Sequence, residues 1–111
     1  MNVLRLELET LPEKRRELEQ VLSGMLPEIR KLPGCQQCQL SRDMEAIQCI
    51  SVVSNWTSRE ALNVFLLSDR FAALMGTEIL LQKKPMVYLD EVLSSEGLDA
   101  INQLRSGRPT S

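Results

Sequence analysis

The chain has 111 residues, of which 43% are hydrophobic and 25% charged, and its formal net charge is -2 at pH 7. This length predicts one domain with a single hydrophobic core. The balanced charge, without a basic stripe, excludes a nucleic-acid-binding protein, because such proteins neutralise phosphates with clustered Lys and Arg. No apolar segment approaches the roughly 20 residues of a membrane-spanning helix. The N-terminal residues alternate polar and apolar side chains and do not predict a signal peptide, so we expect a cytoplasmic protein.

Histidine is absent from the sequence. Its absence excludes acid–base catalysis by imidazole and the activation of a serine or cysteine nucleophile by histidine. It also removes the usual protein ligand of zinc and of haem iron. We therefore expect neither a metal site nor a cofactor.

The N-terminal third predicts a strand followed by a helix. From Val3 to Glu9, leucines alternate with charged residues, which is typical of a half-buried strand. Thr10 to Glu13 has the sequence of a capping box with proline in the first turn, and we expect the helix to begin there and to end at Pro33-Gly34. The residues at helical spacing form its predicted buried stripe: Leu18, Val21, Leu22, Met25, Ile29 and Leu32.

The middle of the chain predicts a hairpin of two strands, Gln36 to Ser41 and Ala46 to Ser54, around a turn at residues 42–45. A register centred on this turn places Cys38 opposite Cys49 on one face of the sheet. The other pairs in this register are Leu40 with Ile47, Gln39 with Gln48 and Gln37 with Ile50. A slip of one residue would exchange the two faces.

The second half predicts two capped helices, a strand and a short terminal helix. Ser58 and Ser68 are the expected N-caps, and Gly76 ends the second of these helices. Their apolar positions are Ala61, Leu62, Phe65 and Leu66, then Phe71, Leu74 and Met75. Residues 86–92 read as the last strand and residues 96–104 as a helix. We expect the final SGRPTS to be disordered.

The element order is βαβ-βαβ, which predicts an α+β, ferredoxin-like sandwich: a four-stranded antiparallel sheet with helices on one face. We place this domain at residues 1–92 and a C-terminal extension at residues 93–111. Both faces of the strand at residues 46–54 carry apolar residues, although helices can cover only one. We therefore expect a homodimer joined through the second sheet face.

Four short motifs, in this order and spacing, resemble the antibiotic biosynthesis monooxygenase (ABM) family: Pro33-Gly34-Cys35, Trp56-Thr57-Ser58, Glu60-Ala61-Leu62 and Ser68-Asp69-Arg70-Phe71. The similarity covers about residues 1–92. It implies a dimeric α+β barrel with a pocket between sheet and helices in each subunit. Several members oxidise quinols or polyphenols with dioxygen and without flavin or metal, others degrade haem, and many have no assigned activity.

The resemblance assigns no catalytic residue. Where haem-degrading members have a second tryptophan, a haem-ligating histidine and an asparagine, this chain has Phe65, Met75 and Glu7, which argues against haem degradation. Quinol-oxidising members often carry an asparagine where this chain has Val52. The hypothesis is a cofactor-independent monooxygenase acting on a quinol or another small planar aromatic. The alternative is a non-catalytic dimer that binds a small ligand or a partner.

The candidate ligand pocket is centred on Trp56, which either closes the core or offers a stacking surface to an aromatic ligand. Glu7 either belongs to a solvated or dimer-rim face or orients a ligand oxygen. The full candidate set is Trp56, Asn55, Phe65, Phe71, Met75, Glu7 and Tyr88. Phe65, Phe71 and Met75 are better explained as core residues, and Tyr88 is better explained by a hydroxyl at the surface than by a hydrogen bond to a ligand.

Cys35 and Cys38 form a CxxC motif, which in redox proteins needs a turn or a helix N-terminus. Their spacing within a strand predicts side chains on opposite faces. We therefore expect ordinary reduced thiols, with Cys38 and Cys49 as cross-strand neighbours that could form an adventitious disulfide. A thiol redox protein is the disfavoured third hypothesis.

Overall fold

The computed structural model describes residues 1–107. Its strands are β1 (Asn2–Glu9), β2 (Cys35–Arg42), β3 (Cys49–Trp56) and β4 (Met86–Glu91). Its α-helices are α1 (Arg15–Arg30), α2 (Arg59–Leu66), α3 (Asp69–Met75) and α4 (Leu98–Ser106), with 3₁₀ turns at Pro12–Lys14 and Gly76–Leu80. Ser106, which we expected in a disordered tail, belongs to α4, and residues 108–111 of that tail lie outside the described range.

The four strands form one sheet in the order β2-β3-β1-β4, with antiparallel neighbours throughout. Helices α1, α2 and α3 lie on one face of this sheet, so the predicted α+β, ferredoxin-like fold is confirmed. The alternating leucines of β1 supply the centre of the core, since Leu4, Leu6 and Leu8 are buried. Within the described residues, no helix is long and apolar enough to cross a membrane.

The buried face of α1 differs from the predicted stripe at two positions. Its fully buried residues are Leu18, Leu22, Leu26 and Ile29. Val21, which we expected in the stripe, is exposed, and Leu26, which we did not include, is buried. Val21 and Leu26 both fit the helical spacing of the stripe. Which of the two is buried therefore depends on the angle at which α1 packs on the sheet.

The capping box predicted at Thr10 does not form. The Thr10 hydroxyl donates hydrogen bonds to the carbonyl oxygens of Leu80 (3.1 Å) and Leu11 (3.0 Å). Its amide donates to the Gln48 carbonyl oxygen at 2.8 Å. Thr10 is therefore a buried continuation of the sheet rather than a helix cap, and α1 begins only at Arg15, after the 3₁₀ turn.

The two serine caps form as predicted. The Ser58 hydroxyl accepts a hydrogen bond from the Ala61 amide at 3.1 Å, and the Ser68 hydroxyl accepts one from the Phe71 amide at 3.2 Å. Each cap satisfies a backbone donor that the first turn of a helix leaves unpaired. The caps fix where α2 and α3 begin.

The predicted hairpin register was wrong. Cys38 lies opposite Ser54 and Leu40 opposite Val52, so the faces of β3 are exchanged relative to the prediction. The connecting loop is longer than expected because the Asp43 carboxylate accepts hydrogen bonds from the amides of Glu45 (2.9 Å) and Ala46 (3.3 Å) and holds this segment out of the strand. Alternate residues of β3, ending with Trp56, therefore face the helices.

Gly34 brings the α1–β2 turn against the first turn of α2. Its φ of +83° is favourable for glycine and strained for other residues, and a Cβ at this position would overlap the Cβ of Ala61. The Gly34 carbonyl oxygen accepts a hydrogen bond from the Thr57 amide at 2.9 Å. This close approach requires the absence of a side chain.

We expect Gly34→Ala to lower the free energy of unfolding by about 2–5 kcal/mol, because left-handed backbone strain costs about 1–2 kcal/mol and overpacking about 1–3 kcal/mol. Urea unfolding monitored through Trp56 fluorescence measures the change. The matched control is Gly24→Ala within α1, where an added Cβ meets no atom within 4 Å. That control should be stabilising by up to about 1 kcal/mol. Equal unfolding midpoints for the two variants would contradict the role of Gly34.

Candidate functional site

Trp56, the last residue of β3, lies in a buried cluster of three aromatic rings. Its ring stacks on Phe65 of α2, with centroids 4.9 Å apart and planes inclined by 20°. Phe71 of α3 meets Phe65 edge to face at 5.5 Å. The indole N–H donates to the Ser54 hydroxyl at 2.9 Å. The relative exposure of Trp56 is 0%, so its ring offers no surface to a ligand unless neighbouring side chains move.

A cavity of about 240 Å³ lies beside this cluster, between the α1–β2 turn and α2. Its lining residues are Leu32, Pro33, Gly34, Trp56, Thr57, Ala61, Val64, Phe65 and Ser68. None of these side chains is ionisable. Trp56 and Phe65 lie behind the exposed lining, because they are only 0% and 2% exposed.

Two hydroxyl groups are the side-chain polar groups of this lining. The Ser68 hydroxyl is engaged with the backbone, because it donates to the Phe65 carbonyl oxygen at 2.6 Å and accepts from the Phe71 amide at 3.2 Å. Thr57 is exposed at the rim, where its hydroxyl can donate to or accept from a ligand oxygen. The lining is therefore mostly apolar, with one exposed hydroxyl group at its rim.

The other candidate residues from the sequence do not line this cavity. Phe71 contacts it only through Phe65, and Met75 ends α3 as a half-buried residue outside the lining set. Asn55 follows the strand alternation to the opposite face, where its amide donates to Gln37 Oε1 at 3.2 Å.

Glu7 and Tyr88 also lie on that opposite face, which we call the outer sheet face. The Glu7 carboxylate is 3.5 Å from Arg5 Nε, and Arg5 Cζ lies 4.5 Å from the centroid of the Tyr88 ring. These three side chains form a charged and aromatic cluster that a whole sheet separates from Trp56. The seven candidates therefore do not form a single site in the chain.

The outer sheet face is also less apolar than we expected. On β3 it carries Cys49, Ser51, Val53 and Asn55, all half-buried. Ile47, which the sequence placed in a strand, lies in the loop and is exposed. The argument for a dimer from a fully apolar second face was therefore wrong in part.

The CxxC motif lies at a β-bulge between Cys35 and Gln37. The bulge places Cys35 opposite Trp56 and Cys38 opposite Ser54, so both side chains lie on the core face rather than on opposite faces as predicted. Cys49 lies opposite Glu9 of β1. The predicted Cys38–Cys49 neighbourhood was therefore wrong, and all three cysteines are free.

The chemistry of these thiols opposes redox catalysis. Burial, reinforced by the neighbouring Cys35, raises the pKa of Cys38 to about 11. Burial also raises the pKa of Cys35. Since the thiolate is the nucleophile, both groups are protonated and unreactive at neutral pH. Within residues 1–107, no group of three His, Cys, Asp or Glu side chains is placed to hold a metal ion.

A second, polar cavity of about 370 Å³ lies at the other end of the sheet, beside β2 and α1. Its charged side chains neutralise each other, because Arg42 Nη2 lies 2.9 Å from Glu19 Oε1. The exposed Met44 lines its mouth. It offers no unpaired charge to a ligand, so the apolar cavity is the stronger candidate site.

Sequence reasoning found Trp56 and Phe65 but missed most of the cavity wall. One available signal was the spacing of Ala61, Val64, Phe65 and Ser68, which is i, i+3, i+4, i+7 and therefore one helical face. The sequence around Pro33 did not predict that this residue lies against the same face of α2, because the contact depends on the long-range packing at Gly34.

Comparison with known proteins supports the fold over almost the whole described chain. A protein named antibiotic biosynthesis monooxygenase is 17% identical and has a TM-score of 0.76, with 85% of this chain and 100% of that chain covered. The protein Rv0793 of Mycobacterium tuberculosis is 18% identical at a TM-score of 0.78, with 86% and 98% covered. A conserved protein of Methanosarcina mazei Go1 is 18% identical at 0.76, with 81% and 90% covered.

These identities are low enough that the solved structures show similarity of fold alone. No curated protein matches the chain. The model of the family described as antibiotic biosynthesis monooxygenase matches residues 1–77, which is more than half of the sequence and includes Trp56, the cavity wall and both serine caps. The chain therefore belongs to the antibiotic biosynthesis monooxygenase family.

Proposed function

We propose that this protein binds a small planar aromatic molecule in the cavity beside Trp56. The observation that carries the proposal is the lining of that cavity, which is apolar, partly aromatic and free of ionisable groups. Ligand sites in proteins are typically concave and apolar with a few placed polar groups. The cavity is close to the lower end of the roughly 300–1,000 Å³ of such sites, which favours a ligand of one or two rings.

The ligand should carry a hydroxyl group and no charge. A charged group in this cavity would lose its hydration without meeting an opposite charge, which is strongly unfavourable. A phenolic hydroxyl, in contrast, can exchange a hydrogen bond with Thr57 at the rim. Val64, which is 71% exposed, marks the side from which the ligand enters.

A single substitution at the rim tests this site. Val64→Phe places a larger side chain into the cavity from an exposed helix position, so the fold should be retained. We expect it to weaken binding of 2-naphthol at least about tenfold, a loss of about 1.4 kcal/mol, as measured by isothermal titration calorimetry.

The matched control is Leu67→Phe, at an exposed position directly after α2 and outside the lining set. It should bind 2-naphthol with the affinity of the unmodified protein. Unchanged affinity in Val64→Phe, or equal loss in both variants, would contradict the assignment of the cavity.

Cofactor-independent oxygenation is the second candidate, favoured by membership of the family. In such a reaction the substrate is a hydroxyarene that reacts as its keto tautomer, which has a CH₂ group in the ring. This tautomer reduces dioxygen directly. The CH₂ carbon becomes a carbonyl carbon, one oxygen atom enters this carbonyl and the other leaves as water. The substrate supplies all four electrons, so no flavin, metal or outside reductant is needed.

The contribution of this chain to that reaction would be desolvation and orientation rather than acid–base catalysis. No lining side chain can act as a base. The substrate must therefore be acidic enough to lose its proton to solvent. The cavity therefore supports ligand binding better than catalysis.

Oxygen uptake separates the two candidates. With hydroxyarenes that have such a keto tautomer, an oxygenase should consume dioxygen faster than buffer alone, and Val64→Phe should lower that rate at least about tenfold, in parallel with its effect on binding. Uptake equal to that of buffer, together with tight binding of 2-naphthol, would remove the oxygenase and leave the binding protein.

We also propose that two copies of the chain form a homodimer through the outer sheet face. Its support is the family resemblance and the half-buried Val3, Val53 and Tyr88 on that face. In such a dimer the Arg5–Glu7 ion pair would lie between the sheets, where its two charges remain paired. The expectation of a cytoplasmic location stays a prediction.

A further inference from the structure

The C-terminal helix α4 has an apolar stripe without a partner in the chain. Leu98, Ile101 and Leu104 recur every three residues and share one side of the helix. They are 69%, 55% and 74% exposed, and α4 buries none of its residues. A nine-residue helix of this kind is marginal in water by itself, so this stripe indicates a docking contact.

The sheet has a matching surface without a helix. On the helix-covered face, Leu6 and Leu4 of β1 lie opposite Val87 and Leu89 of β4. The two β1 residues are each 1% exposed, whereas Val87 and Leu89 are 45% and 42% exposed. The helices therefore cover β1 but leave the same face of β4, at the edge of the sheet, half open. We call Val87 and Leu89 the open β4 face.

The path of the chain carries α4 away from its own open β4 face. Residues 92–97 contain no turn or bend, and Gly97 is extended, with φ -106° and ψ -162°. An extended segment of this length spans roughly 20 Å. The Cα radius of gyration, 17.3 Å, accordingly exceeds the roughly 13 Å expected of a compact chain of this size. A return to the same subunit would require a turn that the segment does not make.

We propose that α4 is an exchanged arm, which packs its Leu98–Ile101–Leu104 stripe on the open β4 face of a second copy of this chain. The exchange is reciprocal, since each copy has one helix without a sheet and one sheet edge without a helix. The helix is about 14 Å long, enough to cover both Val87 and Leu89. This contact involves the helix-covered face of the sheet and is separate from the proposed outer-face contact.

Matched charge variants test the arm. Ile101→Glu with Leu104→Glu places two carboxylates in the stripe, and Gln103→Glu with Ser106→Glu places two on the other side of the same helix. Sedimentation velocity over a range of concentrations gives the dissociation constant of each association step, so a step that requires α4 is distinguished from an outer-face step that does not. We expect the stripe variant to raise the constant of the α4-dependent step at least about 100-fold and the control to leave it within about threefold of the unmodified protein. Equal constants for both variants would overturn the proposal.

Photo-crosslinking identifies the surface that α4 contacts. With a benzophenone amino acid in place of Leu104, the expected product is a crosslink between two chains that maps to residues 86–91. A crosslink within one chain, or one that maps to another surface of the partner, would overturn the proposal. Because α4 buries no residue in its own subunit, the thermal unfolding of all these variants should show an intact domain.

Discussion

The stacking of Trp56 on Phe65 is the contact on which the architecture depends. It joins the end of a central strand to α2, and Phe71 extends the same cluster to α3. The hydrogen bond from the indole to Ser54 satisfies the one polar group of the ring without involving water. Because the two buried rings lie directly behind the apolar cavity, the packing that stabilises the fold also shapes the candidate site.

Local signals predicted the elements, and long-range contacts decided the details. Serine caps and alternating leucines act within one turn or strand, and the structure has them where the sequence indicated. Thr10 has an equally good local signal for a helix cap. Its hydroxyl instead donates a buried hydrogen bond to the carbonyl oxygen of Leu80, 70 residues away. The predicted hairpin register was wrong for a related reason. The Asp43 side chain lengthens the loop through hydrogen bonds to the backbone, and strand propensity does not predict such bonds.

The candidate site was only partly predictable. Trp56 and Asn55 are adjacent in sequence and lie on opposite faces of the sheet, because strand side chains alternate. The cavity wall needs Pro33 to approach α2, which depends on the positive φ of Gly34. Family membership supplies the fold with more certainty than the chemistry, and a cavity without an ionisable group fits binding better than acid–base catalysis. The helix α4 buries none of its residues, and this observation is the basis of the proposed exchanged arm.

A double-mutant cycle on Trp56 and Phe65 tests the central contact most directly. Trp56→Leu and Phe65→Leu keep the positions apolar, and urea unfolding followed by circular dichroism gives the free energy of each variant and of the pair. A stacked pair in the core predicts that the double variant loses about 0.5–1.5 kcal/mol less than the sum of the two single losses, and this difference is the coupling energy. Strictly additive losses, with a coupling energy near zero, would contradict a structure in which this stack joins the sheet to its helices.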